Sequence, residues 1–223
     1  MKIALAQINT TVGDIRGNSE RIMRAIDKSR RENADIAVFP ELCLTGYPPR
    51  DLLDIRGFVD ANIAAIEAIA ARTDHMGVVA GFVDINRSGK GRDFRNAAAF
   101  MAEGKIRQVV YKSLLPSYDV FDETRYFEKA GQVSPVRFNN RTLGISICED
   151  AWNSEEFRKK PLYPSDPIRE QVEKGADLLI NIAASPYEMG KPSLRFRMLR
   201  DHAVRHRVPM VYVNLVGGND DLL

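Results

Sequence analysis

Apolar positions along this chain fall into two kinds of stretch. Short, nearly unbroken runs occur at 2–8 (KIALAQI), 35–40 (DIAVFP), 77–83, 96–101, 106–111, 143–148 (LGISIC), 177–183 (DLLINIA) and 209–214. Most lack strict alternation, the pattern of strands covered on both faces. Between them lie stretches with helical spacing. Segment 19–32 carries Ile22, Met23 and Ile26 on one stripe, with Asn18 or Ser19 as its cap. Segment 58–72 carries Val59, Ile63, Ile66, Ile69 and Ala70. Pro167 opens a helix that Gly175 stops, and 192–207 again starts at a proline. AEGK at 102–105 reads as a hairpin turn, which pairs 96–101 with 106–111 antiparallel. The class is therefore α/β with mixed sheets, in one unit without repeat or linker.

Three irregular stretches interrupt this order, at 40–57, 112–134 and 149–166. Long loops in a compact domain are usually functional. Each begins where a strand ends, and each opens on or beside a reactive residue: Glu41, Lys112 and Cys148. Strand ends converging at one sheet edge are where α/β proteins build sites.

Composition narrows the function classes. Hydrophobic residues make up 44% and charged residues 28%, enough apolar material for a sizeable core. A net charge of +2, with no basic stretch interleaved with aromatics, argues against nucleic acid as a partner. No apolar run approaches the roughly 18–20 residues of a membrane span, so no membrane partner is expected. Two cysteines, Cys43 and Cys148, point to reduced thiols and a cytoplasmic setting rather than a disulfide scaffold.

Taken alone, Cys148 fits a buried filler as well as a nucleophile. A cysteine nucleophile needs a base, usually histidine. None of the three histidines, His75, His202 and His206, lies in or next to these loops, so a carboxylate is the expected base. Glu41 follows the apolar VFP run, where partial desolvation would suit base work. Lys112 ends VVYK; it is either a snorkelling strand-end lysine or a fixed cation beside the thiol. His202 and His206 are spaced for a metal on one helix face, but neighbouring arginines and the lack of a third ligand favour a structural reading, and no metal is expected. Cys43 reads as filler, and RKKP at 158–161 as a solvated charge run.

FPELCLTGYPPRDLL, YKSLLPSYDVFDETRYF and GISICEDAW, in this order, resemble the three signature segments of the nitrilase (carbon–nitrogen hydrolase) superfamily. The resemblance implies an α-β-β-α four-layer sandwich with two mixed β-sheets and a Glu–Lys–Cys triad, here Glu41, Lys112 and Cys148. It places Glu123 beside the lysine as a supporting acid. GYPPRDLL, CEDAW and NLVGGNDDLL narrow it to the glutaminase (amidase) domain of the glutamine-dependent NAD+ synthetase family.

In that family the domain hydrolyses L-glutamine through a cysteine thioester. Its ammonia goes to a covalently linked synthetase domain that amidates deamido-NAD+. By resemblance, Tyr47, Tyr118, Glu149, Trp152 and Ser185 line the glutamine pocket. The hydrolysis needs no cofactor; ATP and Mg belong to the synthetase domain. Its SGGxDS-type loop is missing from this sequence, and VGGND at 216–220 lacks the serine. The resemblance thus implies that residues 1–223 are a glutaminase domain cut short of its closing strands, in a homo-oligomer. The rival readings are a free-standing amidase for another small amide, and a silent assembly domain.

Overall fold

The computed structural model describes residues 1–153, 160, 162–219 and 222. Among the described residues, nine strands form two sheets. The first runs in the order β1 (Ile3–Leu5), β2 (Ile36–Val38), β3 (Gly77–Ile85), β4 (Phe94–Ala102) and β5 (Lys105–Tyr111). The second runs β6 (Val136–Phe138), β7 (Arg141–Ile147), β8 (Leu178–Ala183) and β9 (Met210–Asn214). Pairing is parallel from β1 to β3 and from β7 to β9, and antiparallel at β3–β4, β4–β5 and β6–β7. Among the described residues, the helices that accompany them are α1 (Ile15–Arg31), α2 (Arg56–Ala70), α3 (Glu123–Tyr126), α4 (Pro167–Glu173) and α5 (Lys191–His206).

Side-chain alternation sorts the core into layers. Val78, Ala80 and Phe82 of β3, with Ala97, Ala99 and Met101 of β4, pack on Ile22 and Ile26 of α1 and on Ile66 and Ile69 of α2. The opposite faces meet between the sheets: Val79, Ala98 and Phe100 against Leu143, Ile145, Ile147, Ile180 and Ile182. Leu179 turns outward onto Ile168 of α4 and Met198 of α5. This is the expected α-β-β-α sandwich. Every residue of β8 is buried, which explains why its run shows no alternation.

The 102–105 hairpin forms as read, with Glu103 and Gly104 both in the left-handed region, at φ 53° and 75°, as the tight turn demands. Two expectations shift. The first helix begins at Ile15, not 19, because Asp14 caps it and accepts the Gly17 N–H at 2.8 Å. Asn18, expected as a cap, is instead buried inside the first turn; its amide donates to the Thr11 and Leu44 carbonyls at 2.8 and 3.1 Å and pins the loop that carries Glu41. The first strand pairs only over Ile3–Leu5 rather than 2–8. The short edge strand β6 carried too few apolar residues to be read.

Lys160 is exposed, and the rest of the 158–161 charge run lies outside the described residues. No helix among the described residues is long and apolar enough to cross a membrane.

Candidate active site

Strands β2, β5, β7 and β8 end at a common edge, and each delivers one component. Just past β2, Phe39 and Pro40 lead to Glu41. Lys112 follows β5. Cys148 follows β7 and opens a short 3-10 turn, Cys148–Ala151. Ala184 follows β8. Glu41, Lys112, Glu123 and Cys148 are all at most 5% exposed.

Lys112 Nζ donates to Glu41 Oε1 and to Glu123 Oε1, each at 2.7 Å. Glu41 also accepts from Asn96 Nδ2 at 2.7 Å and, on its other oxygen, from the Ala184 N–H at 2.8 Å. Glu123 accepts the Tyr47 hydroxyl at 3.0 Å. A buried ion pair survives only with its remaining lone pairs satisfied, and these donors supply that. Asn96 was not found from sequence. It lies in an alanine-rich strand, where only the register, Asn96 opposite Val83, shows that it faces the carboxylates.

Burial is the largest influence on Lys112 and opposes its charge, yet Glu123, Glu41 and Cys148 together hold its pKa well above the usual lysine value. Burial likewise raises Glu123, with Lys112 pulling the other way. The Cys148 thiol is pushed well above its ordinary range, first by burial and then by the Glu41 charge, with Lys112 opposing. At neutral pH the sulfur is therefore a thiol, and attack requires a base within the site rather than a pre-formed thiolate.

Both loop entries are conformationally unusual. Leu42 and Cys148 each sit at φ 44°, in the left-handed region that costs a non-glycine residue about 1–3 kcal/mol. The Glu41 loop also presses on β3. Gly81 donates to the Pro40 carbonyl at 3.1 Å, and a Cβ there would lie 2.3 Å from the Leu42 nitrogen and 2.6 Å from the Pro40 oxygen. Both are backbone atoms, so the loop would have to move. Gly81→Ala is expected to lower stability by at least the ~1–3 kcal/mol of an overpacked core and to displace Glu41. Urea unfolding together with an activity assay checks this; wild-type values in both would refute the contact.

Cys43 behaves as filler. It packs among Phe39, Leu44 and Ala80 in the outer layer, its Sγ contacts the Gly81 carbonyl at 3.5 Å, and burial pushes its pKa up to about 12. Among the described residues no group of His, Cys, Asp and Glu side chains could hold a metal ion. His202 is buried on α5 and bonds the Ala151 carbonyl through Nε2 at 2.8 Å, which braces the end of the Cys148 turn.

The expected pocket residues separate into three groups. Tyr47 joins the Glu41–Lys112–Glu123 array through Glu123. Tyr118 donates to both oxygens of buried Glu149, at 2.8 and 2.9 Å, and Tyr163, which the sequence reading missed, reaches the same carboxylate at 3.3 Å. Ser185 follows Ala184; its N–H is held by Asn214 Oδ1 at 2.9 Å and its hydroxyl by Arg195 at 2.8 Å. Trp152 is different. It packs with Ile168, Ala176, Met198 and Val208 beneath α4 and α5.

Residues 2–223 match the family model described as carbon-nitrogen hydrolase. The glutamine-dependent NAD(+) synthetase of Synechocystis sp. is 39% identical over 99% of this chain and 40% of its own length. The Thermotoga maritima protein of the same name is 38% identical over all of this chain and 37% of its own. The solved glutamine-dependent NAD+ synthetase of Acinetobacter baumannii superposes with a TM-score of 0.87 at 32% identity, over 99% of this chain and 39% of that one. An amidase from Nesterenkonia sp. AN1 has the same fold, with a TM-score of 0.82 at 21% identity. The chain thus spans about two fifths of the length of the synthetases it matches.

Proposed function

This chain belongs to the carbon–nitrogen hydrolase family, and on that premise we propose that it hydrolyses the side-chain amide of L-glutamine and passes the ammonia to an NAD+-synthetase unit. The observation that carries the reading is the buried Glu41–Lys112–Glu123 array, which shares its electrostatic environment with a neutral Cys148 thiol. The synthetase context is supported by the names of relatives matched along the whole chain.

Glu41 takes the Cys148 proton as sulfur attacks the amide carbon. The carbonyl electrons move to oxygen, where the Lys112 ammonium and the Glu149 N–H stabilise them; one such donor is worth about 3–4 kcal/mol. Collapse of this intermediate expels ammonia with the proton returned by Glu41, leaving a thioester. Glu41 then activates water, and glutamate departs. Glu149, oriented by Tyr118 and Tyr163, pairs with the α-ammonium of glutamine. Tyr47 and Ser185 stand at the edges of the same site. Glu123 remains beside Lys112 and keeps the ammonium in place after Glu41 gains a proton.

A diazo-ketone analogue of glutamine tests this directly. One adduct is expected, mapping to Cys148, with Cys43 unmodified and with protection by glutamine. Labelling of Cys43, or no adduct on folded protein, would overturn the assignment.

A further inference from the structure

Asp150 has no part in the chemistry above, yet its carboxylate connects two of the segments that perform it. It is 2% exposed. Oδ1 accepts the N–H groups of Ser113 and Leu114, both at 2.9 Å, and Oδ2 accepts that of Ile147 at 2.9 Å. Ser113 and Leu114 directly follow Lys112, and Ile147 directly precedes Cys148. One side chain thereby ties the chain leaving the cation to the chain entering the nucleophile.

We propose that Asp150 is a positioning residue that fixes the spacing of the Lys112 ammonium and the Cys148 sulfur. This rests on the reading of the site given above. The need for such a tie follows from the backbone. Cys148 sits at φ 44° on a turn of only four residues, and Lys112 begins a long irregular segment. Cys148 lies just past the end of β7; the Lys112 N–H still donates to the Asn96 carbonyl and its carbonyl accepts the Ala130 N–H, both at 2.9 Å, so the tie acts on the chain immediately beyond it. A carboxylate suits the task because it accepts at both oxygens, whereas an amide of the same shape accepts at one. Burial pushes the Asp150 carboxyl up to about 7 against these three donors and Lys112, so the tie is complete above that pH.

In Asp150→Asn, the carbonyl can keep Ser113 and Leu114, but the new NH2 then opposes the Ile147 N–H. A displacement of about 1 Å costs on the order of 10²-fold in rate. At pH 8, two readouts apply to this chain: the rate of iodoacetamide alkylation at Cys148, mapped by peptide mass, and kcat and KM for glutamine. The variant is expected to alkylate at least tenfold more slowly and to lose about 10²-fold in kcat, with KM changed little. Should it fail to fold by circular dichroism, Ser113→Pro, which removes one donor and leaves Asp150 intact, is expected to slow alkylation about tenfold.

A folded variant that alkylates at the wild-type rate, with only a lower Tm, overturns the proposal and leaves Asp150 a structural acid. Wild-type chain that does not consume glutamine but alkylates in an Asp150-dependent way overturns the glutaminase reading alone. Wild-type chain in which Cys148 resists alkylation overturns both.

Discussion

Lys112→Met is expected to damage turnover and stability together. Lys112 is the cation that Glu41 and Glu123 share, at 2.7 Å from each, and all three are buried. Methionine fills similar volume but leaves two carboxylates facing one another without a counter-charge. Breaking a buried pair in this way typically costs about 3–5 kcal/mol. The cost should depend on pH with a definite sign. Burial already raises the Glu123 carboxyl, and the variant removes the Lys112 charge that pulls it down, so the folded state binds that proton more readily. The deficit relative to wild type therefore grows as pH rises through and above the carboxylate range, and shrinks in acid. Turnover should fall by about 10³-fold or more, because the oxyanion loses a charged donor and Glu41 loses the cation that holds it in place. Urea unfolding at pH 5 and pH 8, with ammonia release at pH 8, measures both effects. A variant as stable as wild type at pH 8 would show that the array is not an ion-paired unit.

Glu41→Gln separates chemistry from folding. The amide oxygen can still accept from Lys112 and Asn96, while its NH2 meets the Ala184 N–H that Oε2 formerly accepted. Lys112 keeps Glu123 as its partner, so no buried charge is orphaned. Stability should change by far less than in Lys112→Met. Turnover should fall by about 10²–10⁴-fold, the usual worth of a positioned base. The residual activity carries a signature. The thiol must now ionise unaided, and burial holds its pKa well above the ordinary cysteine value. Residual rate should therefore climb with rising pH across the alkaline range, where wild type, which moves the proton internally, has no such requirement. A glutamine variant with wild-type turnover would remove Glu41 from the base role.

The strands and helices were legible because burial leaves a trace along the chain, while their stacking into four layers was implied by the family resemblance. Strands covered on both faces read as unbroken apolar runs, and helices covered on one face read at helical spacing; the runs that became β3, β7 and β8 show the first and α2 the second. Cys148, Glu41 and Lys112 were legible as reactive residues at strand ends, and the ordered motifs singled them out. Asn96, Tyr163 and Asp150 carried no comparable signal. Each is an ordinary polar residue whose importance depends on what lies opposite it, and those partners are 55, 14 and 37 positions away in the chain. The placement of Trp152 was equally hidden from sequence. Its neighbour Glu149 faces Tyr118, while one turn of 3-10 helix carries the indole to the other side of the sheet, onto α4 and α5.

By itself, then, the amino-acid sequence determined the α/β class, the strand ends that bear Glu41, Lys112 and Cys148, and the lack of a histidine in the loops that follow them. Those properties are local, set by side-chain polarity and backbone preference over a few residues. Tertiary structure alone decided that Lys112 stands 2.7 Å from both carboxylates, that Asn96 joins them, and that burial pushes the thiol pKa up. These depend on desolvation and on charges held within about 3 Å, and both exist only once distant segments have closed around a common interior.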